Sequence, residues 1–506
     1  MASAPSDGVR FASAAGRWVL AATVLGSGMA QLDATVVNVA LPSIGRDLHA
    51  RVSALQLVVT AYSVTLAALI LLSGTLGDRL GRRRVFVVGV VWFSAASAVC
   101  AAAPSVGVLV GARALQGVGG ALLTPGSLAI IEATLVKSDR GQAIGAWSAL
   151  GGVAAAIGPL LGGWLVQAVS WRAIFVINLP LGCLVAWLAV RHVPESRDET
   201  ISGRLDYAGA ILATAGLAGA TYALVEGPSR GLGSPAVLAS AIVGIAGLVG
   251  FVALERRIEH PMLPLDIFAS RQFTAANLVT FVVYAALGGV FFLLVVVLQT
   301  SLGYSPVAAG AASLPVTVLM LGLSSRAGAL AQRIGPRLPL TIGPLLIAAG
   351  MLLMTRIGPG SSYSEAVLPA VIVFGLGLAT TVAPVTMTVL AAADERHAGA
   401  ASGINNAVAR TAGLLAVALL PAIAGLTGGA FQQPDVLAAG FHTAMLVSAG
   451  LAAAGGLLAL ATISNDLPAE AEQAPAPKHH LHCAVAGPPA QPRSGGSRVD
   501  AKPVVP

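Results

Sequence analysis

The stretch Gly74-Thr75-Leu76-Gly77-Asp78-Arg79-Leu80-Gly81-Arg82-Arg83-Arg84 crowds five charges and three glycines into one short turn. On either side lie apolar runs, 53–75 and 84–103, each near the roughly 20 residues that a helix needs to cross a bilayer. The turn therefore reads as a surface loop between two membrane-spanning helices. A topology anchor needs only the cations. The glycines let helices approach closely, and Asp78 offers an acceptor to arginines or to the amides at a neighbouring helix end. A weaker copy recurs at Gly328-Ala329-Leu330-Ala331-Gln332-Arg333-Ile334-Gly335-Pro336-Arg337, with Gln332 in the place of Asp78. Each copy follows the second helix of a six-helix set, an internal repeat of the kind found in transporters assembled from paired bundles.

The rest of the chain agrees. Of 506 residues, 56% are hydrophobic and 10% charged, against about 25% charged in a soluble domain; mean hydropathy is +0.83. The apolar runs are continuous rather than alternating, which excludes a β-barrel. They predict an all-α integral membrane protein with fourteen spans, at 17–40, 53–75, 84–103, 106–131, 142–167, 171–191, 205–226, 235–255, 273–299, 306–328, 336–356, 365–390, 400–427 and 438–462. The run after Arg17 is too long for a signal-peptide core and is a retained first span.

With the N-terminus in the cytoplasm, sixteen Lys and Arg fall in inner loops, among them Lys137, Arg140, Arg256, Arg257 and Arg333. Five fall outside: Arg46, Arg51, Arg172, Arg230 and Arg356. Short cytoplasmic loops carry such an excess, so both termini are expected in the cytoplasm and the protein in the cytoplasmic membrane. The expected organisation is a tail over 1–16, a six-helix bundle over 17–191, a region with two extra helices over 192–272, a second bundle over 273–462, and a disordered tail over 463–506. That tail is too poor in apolar residues to order itself.

Several function classes drop out. A net charge of +7 and a pI near 9.8 reflect cytoplasmic loops here, so no nucleic-acid partner is expected. Cys100, Cys183 and Cys483 are scattered, and His479, His480 and His482 stand alone in the tail; neither a disulfide framework nor a metal site follows. No G-x-x-x-x-G-K-[ST] string occurs, which argues against ATP hydrolysis. No cofactor is expected, and a proton gradient is the expected energy source. The loops lack the convergent His, Asp and Ser of an active site, against a membrane enzyme.

Ionisable groups inside apolar helices are costly, about 2.5–3.5 kcal/mol or more at the bilayer centre, and mark function by default. Asp33 and Arg113 are two such groups. Loss of water disfavours a charged carboxylate, so Asp33 is a candidate for proton exchange and for attracting a cationic substrate, against the plainer reading of a helix-to-helix hydrogen bond. Arg113 does not deprotonate; with Gln116 it forms a fixed charge or a hydrogen-bond hub, its carboxylate partner unassigned. Pro159 removes an amide donor and kinks its helix, while Gly158, Gly162 and Gly163 permit close packing. Asp206 is an interfacial residue, and Glu226 near an outer helix end is a weaker candidate for substrate or proton. Arg410 sits beside Asn405 and Asn406, whose amides either bond substrate or hold helices together.

Four strings in order carry a resemblance. The Gly74–Arg84 loop looks like motif A of the major facilitator superfamily; Leu32-Asp33-Ala34-Thr35-Val36-Val37-Asn38-Val39-Ala40-Leu41-Pro42 is similar to the helix-one signature of its fourteen-span drug:proton antiporter group. Arg113-Ala114-Leu115-Gln116-Gly117-Val118-Gly119-Gly120 looks like motif B, and Gly158-Pro159-Leu160-Leu161-Gly162-Gly163 like the antiporter motif C, with Ala154 where the family usually has Gly. The resemblance covers about 17–462. It implies the major facilitator fold, two six-helix bundles plus two inserted helices. It implies proton coupling through Asp33 and Arg113, and a conformational switch at Gly74, Gly77, Asp78, Arg79, Gly81, Arg82 and Arg83. It implies an antiporter element at Gly158, Pro159, Gly162 and Gly163. The activity implied is proton-coupled efflux of drugs or other small lipophilic, often cationic compounds. Proton-coupled import of a metabolite on the same fold is the alternative. Cavity specificity is spread over many helices, so neither substrate identity nor oligomeric state follows from the sequence.

Overall fold

The computed structural model describes residues 8–197, 206–258, 261–393, 398–427 and 433–465; most of the predicted C-terminal tail lies outside them. Among the described residues, fourteen long helices follow one another. The first bundle holds α1 (Ala14–Asp47), α2 (Val52–Leu80), α3 (Arg82–Ala101), α4 (Val106–Thr134), α5 (Lys137–Ala168) and α6 (Ala173–His192). Two inserted helices follow, α7 (Tyr207–Arg230) and α8 (Pro235–Glu255). The second bundle holds α9 (Arg271–Thr300), α10 (Pro306–Ile334), α11 (Arg337–Met354), α12 (Tyr363–Ala391), α13 (Ala398–Ile423) and α14 (Pro434–Thr462). Thirteen are long and apolar enough to span a membrane. The fourteenth, α5, is 32 residues long, and its apolar stretch among the described residues is Ile157–Ala168.

Helices are what a bilayer permits, because each backbone amide and carbonyl finds its partner within its own segment. Apolar side chains face outward as well as inward: Trp92, Trp187, Ile211, Ile242 and Ile245 are all exposed, which suits lipid as the solvent. Small residues let helices close on one another. A Cβ on Gly119 of α4 meets the Phe93 backbone of α3 at 2.7 Å, and one on Gly350 of α11 meets that of Phe374 on α12 at 2.6 Å. The same glycine-against-phenylalanine contact thus recurs between the third and fourth helices of each bundle, α3 with α4 and α11 with α12. The inserted α7 does not stand apart. Ala213 and Leu217 pack with Val64, Ala67 and Ala68 of α2 and Leu414 of α13, so α7 covers the line where the bundles meet.

The bundles join tightly at the end remote from the N-terminus. There Gln56 donates to the carbonyls of Val417 (2.7 Å) and Ala418 (3.3 Å), and Gln299 to that of Val39 (2.9 Å). A Cβ on Gly163 runs into Pro306, and one on Gly310 into Pro159, so α5 and α10 touch backbone to backbone. Toward the other end, Gly145 and Gly151 of α5 and Gly322 of α10 have open space where a Cβ stands. Close backbone contact between these two helices is thus found at one end.

Candidate functional site

Asp33 lies in the middle third of α1 and is 1% exposed. Arg113, also 1% exposed, reaches it from α4 and forms an ion pair through Nη1 to Oδ2. Gln116 donates to Asp33 Oδ1 at 2.8 Å and accepts from Arg113 at 2.6 Å. Asn178 donates to the same Oδ1 at 3.1 Å. Ser97 on α3 accepts from Gln116 (2.8 Å) and Asn178 (3.3 Å), while Arg113 Nε donates to the Val58 carbonyl at 3.2 Å. The guanidinium also lies 4.4 Å from the centroid of the Tyr62 ring, a cation–π contact strengthened by the absence of water.

Four helices therefore converge on one carboxyl. Local sequence places each contributor: Arg113 and Gln116 are three residues apart and share a face of α4, and Asn178 sits where α6 breaks after Val176, which turns its amide inward. Every group aimed at Asp33 is a donor, and an ionised carboxylate only accepts; the arrangement is complete with Asp33 charged. A buried pair of this kind tolerates the loss of neither partner, since the survivor becomes an uncompensated charge. The pair is enclosed within the first bundle, so a molecule in the cleft does not touch Asp33 in this conformation.

At the loop after α2, Asp78 bonds Arg82 at 2.7 Å. Gly81 has φ 109°, a backbone that L side chains rarely adopt, and a Cβ there meets the Glu195 carboxylate at 2.6 Å. Glu195 accepts from the Arg83 amide at 3.1 Å and lies 3.6 Å from the guanidinium groups of both Arg83 and Arg84. Arg82 N donates to the Ser196 carbonyl at 2.9 Å, and Arg83 to that of Val193 at 3.2 Å. The segment after α6 is thereby strapped across the loop. Gly74 has open space where a Cβ would stand, Gly77 is in ordinary contact with Arg82, and the buried Nε of Arg79 has no hydrogen-bond partner.

On α5, a Cβ on Gly158 runs into Thr35 and one on Gly162 meets Val36 at 2.9 Å, both on α1, whereas Gly163 and Pro159 touch α10. One short segment thus contacts both the helix carrying Asp33 and the opposite bundle. The remaining candidates lie elsewhere. Glu226 pairs with Arg230 at 2.6 Å within α7. Asn405 donates to Asn277 (3.2 Å) and Thr280 (2.9 Å) on α9; exposed Asn406 bonds its own helix at Ser402. A cavity of about 480 Å³ opens at the clamped end, lined by Leu41, Pro42, Arg46, Gln299, Tyr304 and Pro306 among others.

Sequence reasoning overlooked Ser97, Asn178 and Glu195. Asn178 carried a usable signal, an amide two residues before Pro180 inside an apolar run. Glu195 carried none, because its role exists only once the chain has returned to the loop.

Two six-helix bundles carrying a repeated loop, clamped at one end of the cleft between them, define a membrane transporter of the alternating-access type rather than an enzyme. The chain belongs to the Major Facilitator Superfamily, whose family model matches residues 23–418. It is 40% identical over 408 residues to a puromycin resistance protein of Streptomyces alboniger, covering 80% of each chain. A methylenomycin A resistance protein of Bacillus subtilis is 34% identical over 88% of this chain and 97% of its own. Among solved structures, a peptide transporter crystallised with sulfate matches 90% of this chain and 96% of its own, with a TM-score of 0.66 at 15% identity; that likeness concerns the fold. The chain is a multi-pass efflux transporter of this superfamily.

Proposed function

We propose that the chain exports small lipophilic organic compounds of the antibiotic and drug type in exchange for protons, across a cytoplasmic membrane, with both termini on the cytoplasmic side. The observation that carries this reading is the enclosed Asp33–Arg113 pair. Export against a gradient needs an energy source, and a carboxylate held inside a helical bundle is a place where one proton changes the balance of the surrounding contacts. Protonation turns an Asp33 acceptor into a donor, which displaces Arg113 or an amide and leaves the guanidinium without its counter-charge. Moving α1 against α4 relieves that cost, and α5 transmits the movement to α10 through Gly158, Gly162 and Gly163. Proton and cargo then compete through conformation.

The close contact of α5 and α10 lies at the end remote from the N-terminus, so with cytoplasmic termini the bundles are joined on the outer side and the cleft admits cargo from the cytoplasm. The relatives named for puromycin and methylenomycin A resistance support cargo of antibiotic type. The test is transport by purified protein in liposomes with an acidic lumen. Addition of a transported drug outside alkalinises the lumen, and a proton uncoupler abolishes drug accumulation. Accumulation that ignores the pH difference removes Asp33 from an energising role, and acidification of the lumen on drug entry points to import by symport.

A further inference from the structure

Arg410 stands in the middle of α13, and no carboxylate pairs with it among the described residues. Its Nε is buried and has no hydrogen-bond partner. Leu414, one turn on, packs with Val64, Ala67 and Ala68 of α2, which puts this stretch of α13 at the seam between the bundles, within electrostatic reach of the phenols of Tyr62 and Tyr284. Among the described residues, Asp33 is matched by Arg113 and Glu226 by Arg230, and the buried Asp206 and Glu255 sit near the ends of α7 and α8. Arg410 stands at mid-helix with no such partner among the described residues.

An unmatched guanidinium at this depth is costly, and structural need does not explain it, since no described side chain leans on it through a hydrogen bond. A polar strip leads to it. Ser402, Asn406 and Arg410 follow at intervals of four and share one face of α13; Asn406 is exposed although it lies inside a spanning helix. Amide and hydroxyl groups on that face, ending at a lone cation, describe a path for a polar molecule with an acidic group and an apolar body. Asn405, one residue off the strip, is occupied with α9.

We propose that Arg410 is the anion-recognition point of the transport cleft, and that the exported molecules include organic acids whose carboxylate, phenolate or enolate oxygen it receives. This deepens the export reading and rests on it. A planar guanidinium receives such oxygens through paired N–H donors, and the low dielectric of the cleft strengthens the attraction. Bound acid supplies the counter-charge that the protein lacks, so the occupied cleft is electrically closer to neutral than the empty one.

The test compares two dyes that share a xanthene ring but differ in charge, fluorescein as the acid and rhodamine 123 as the cation, in inside-out vesicles energised by a pH gradient. Dye is counted after filtration and lysis at one fixed pH. Wild-type protein accumulates fluorescein. Arg410→Gln lowers that accumulation at least about tenfold, as loss of a charged contact made to the substrate does, while rhodamine 123 uptake stays level or rises. Arg410→Lys, which keeps the charge, retains more fluorescein transport than Arg410→Gln. Continued rhodamine movement by the variant shows that it is folded. Wild type that moves rhodamine but not fluorescein overturns the acid inference and leaves export standing. Equal loss of both dyes in Arg410→Gln, with normal membrane levels, assigns the residue to the transport cycle and overturns the inference. Movement of neither dye by wild type counts against the export reading and takes this one with it.

Discussion

Gly81 in the first bundle and Gly335 in the second both take a left-handed backbone, φ 109° and 87°, and each hands the chain into the third helix of its bundle. In both cases the segment after the sixth helix returns to close the loop. Glu195 does so in the first half, accepting from the Arg83 amide. Asn465 does so in the second, accepting from the Arg337 amide at 3.1 Å, while Arg337 Nε donates to the Leu460 carbonyl at 2.8 Å. The geometry is shared and the chemistry is not. The first loop is closed by a carboxylate beside two arginines and has the Asp78–Arg82 pair; the second is closed by a neutral amide and has Gln332 at the matching place. The bundle interiors repeat this contrast. Asp33 and Arg113 sit among Gln116, Ser97 and Asn178 in the first, whereas Asn277, Thr280 and Asn405 form a neutral cluster in the second. Backbone closure needs only an acceptor. The ion pairs of both the loop and the interior belong to the first bundle.

The largest expected effect comes from erasing that difference. Asp33→Asn removes the carboxylate from the first interior and leaves Arg113 without its counter-charge; breaking one side of a buried pair costs about 3–5 kcal/mol. Gradient-driven export falls about a hundredfold or more, an interaction essential to the cycle being lost, measured as initial dye uptake in inside-out vesicles at matched protein levels. The double variant Asp33→Asn with Arg113→Gln regains thermal stability, followed by fluorescence-detected gel filtration, but not export. Recovery of export by the double variant breaks the claim that charge here serves coupling. By contrast, Asn405→Ala in the second interior removes neutral bonds worth about 0.6 kcal/mol each on average between membrane helices, and uptake stays within about threefold of wild type.

Next in size is the loop. Asp78→Asn removes the ion pair and keeps the shape. Turnover is expected to drop about tenfold with substrate affinity unchanged, the mark of an interaction made outside the binding step, as flux and equilibrium binding together report. Gln332→Asp, which gives the second loop the missing carboxylate, changes turnover by less than about twofold on the same reasoning. Equal sensitivity of the two loops removes the asymmetry.

How far the sequence announced these features depends on whether each is a property of one helix or of several. Span number and order were legible because each run of apolar residues satisfies its own backbone, and the two loops were recognisable from their glycine spacing. Asp33 and Arg113 were legible as misplaced charges in apolar surroundings, but their pairing was not, since residues 80 positions apart meet only through helix packing. Ser97 and Asn178 escaped notice because a hydroxyl and an amide are cheap enough in membrane helices to be unremarkable singly. Arg410 stood out by type, while its lack of a partner is visible only in three dimensions.

The smallest effect isolates what charge adds to loop closure itself. Glu195→Gln gives the first loop the amide closure that Asn465 provides in the second. Its carbonyl oxygen still accepts from the Arg83 amide, so the Gly81 turn is kept; what goes is attraction to two guanidinium groups at 3.6 Å. Both partners are partly exposed, Arg84 at 74%, and such pairs contribute about 0–1 kcal/mol. The melting temperature is therefore expected to fall by no more than a few degrees, roughly the shift that 1 kcal/mol gives a sizeable domain. Glu195→Ala removes the acceptor as well and orphans the Arg83 amide, at a further cost of about 1–3 kcal/mol if it stays dry. A melting temperature for Glu195→Gln as low as that for Glu195→Ala means that the carboxylate's charge, not its oxygen, holds the first loop closed, and the two loops then differ in how they are built as well as in what they do.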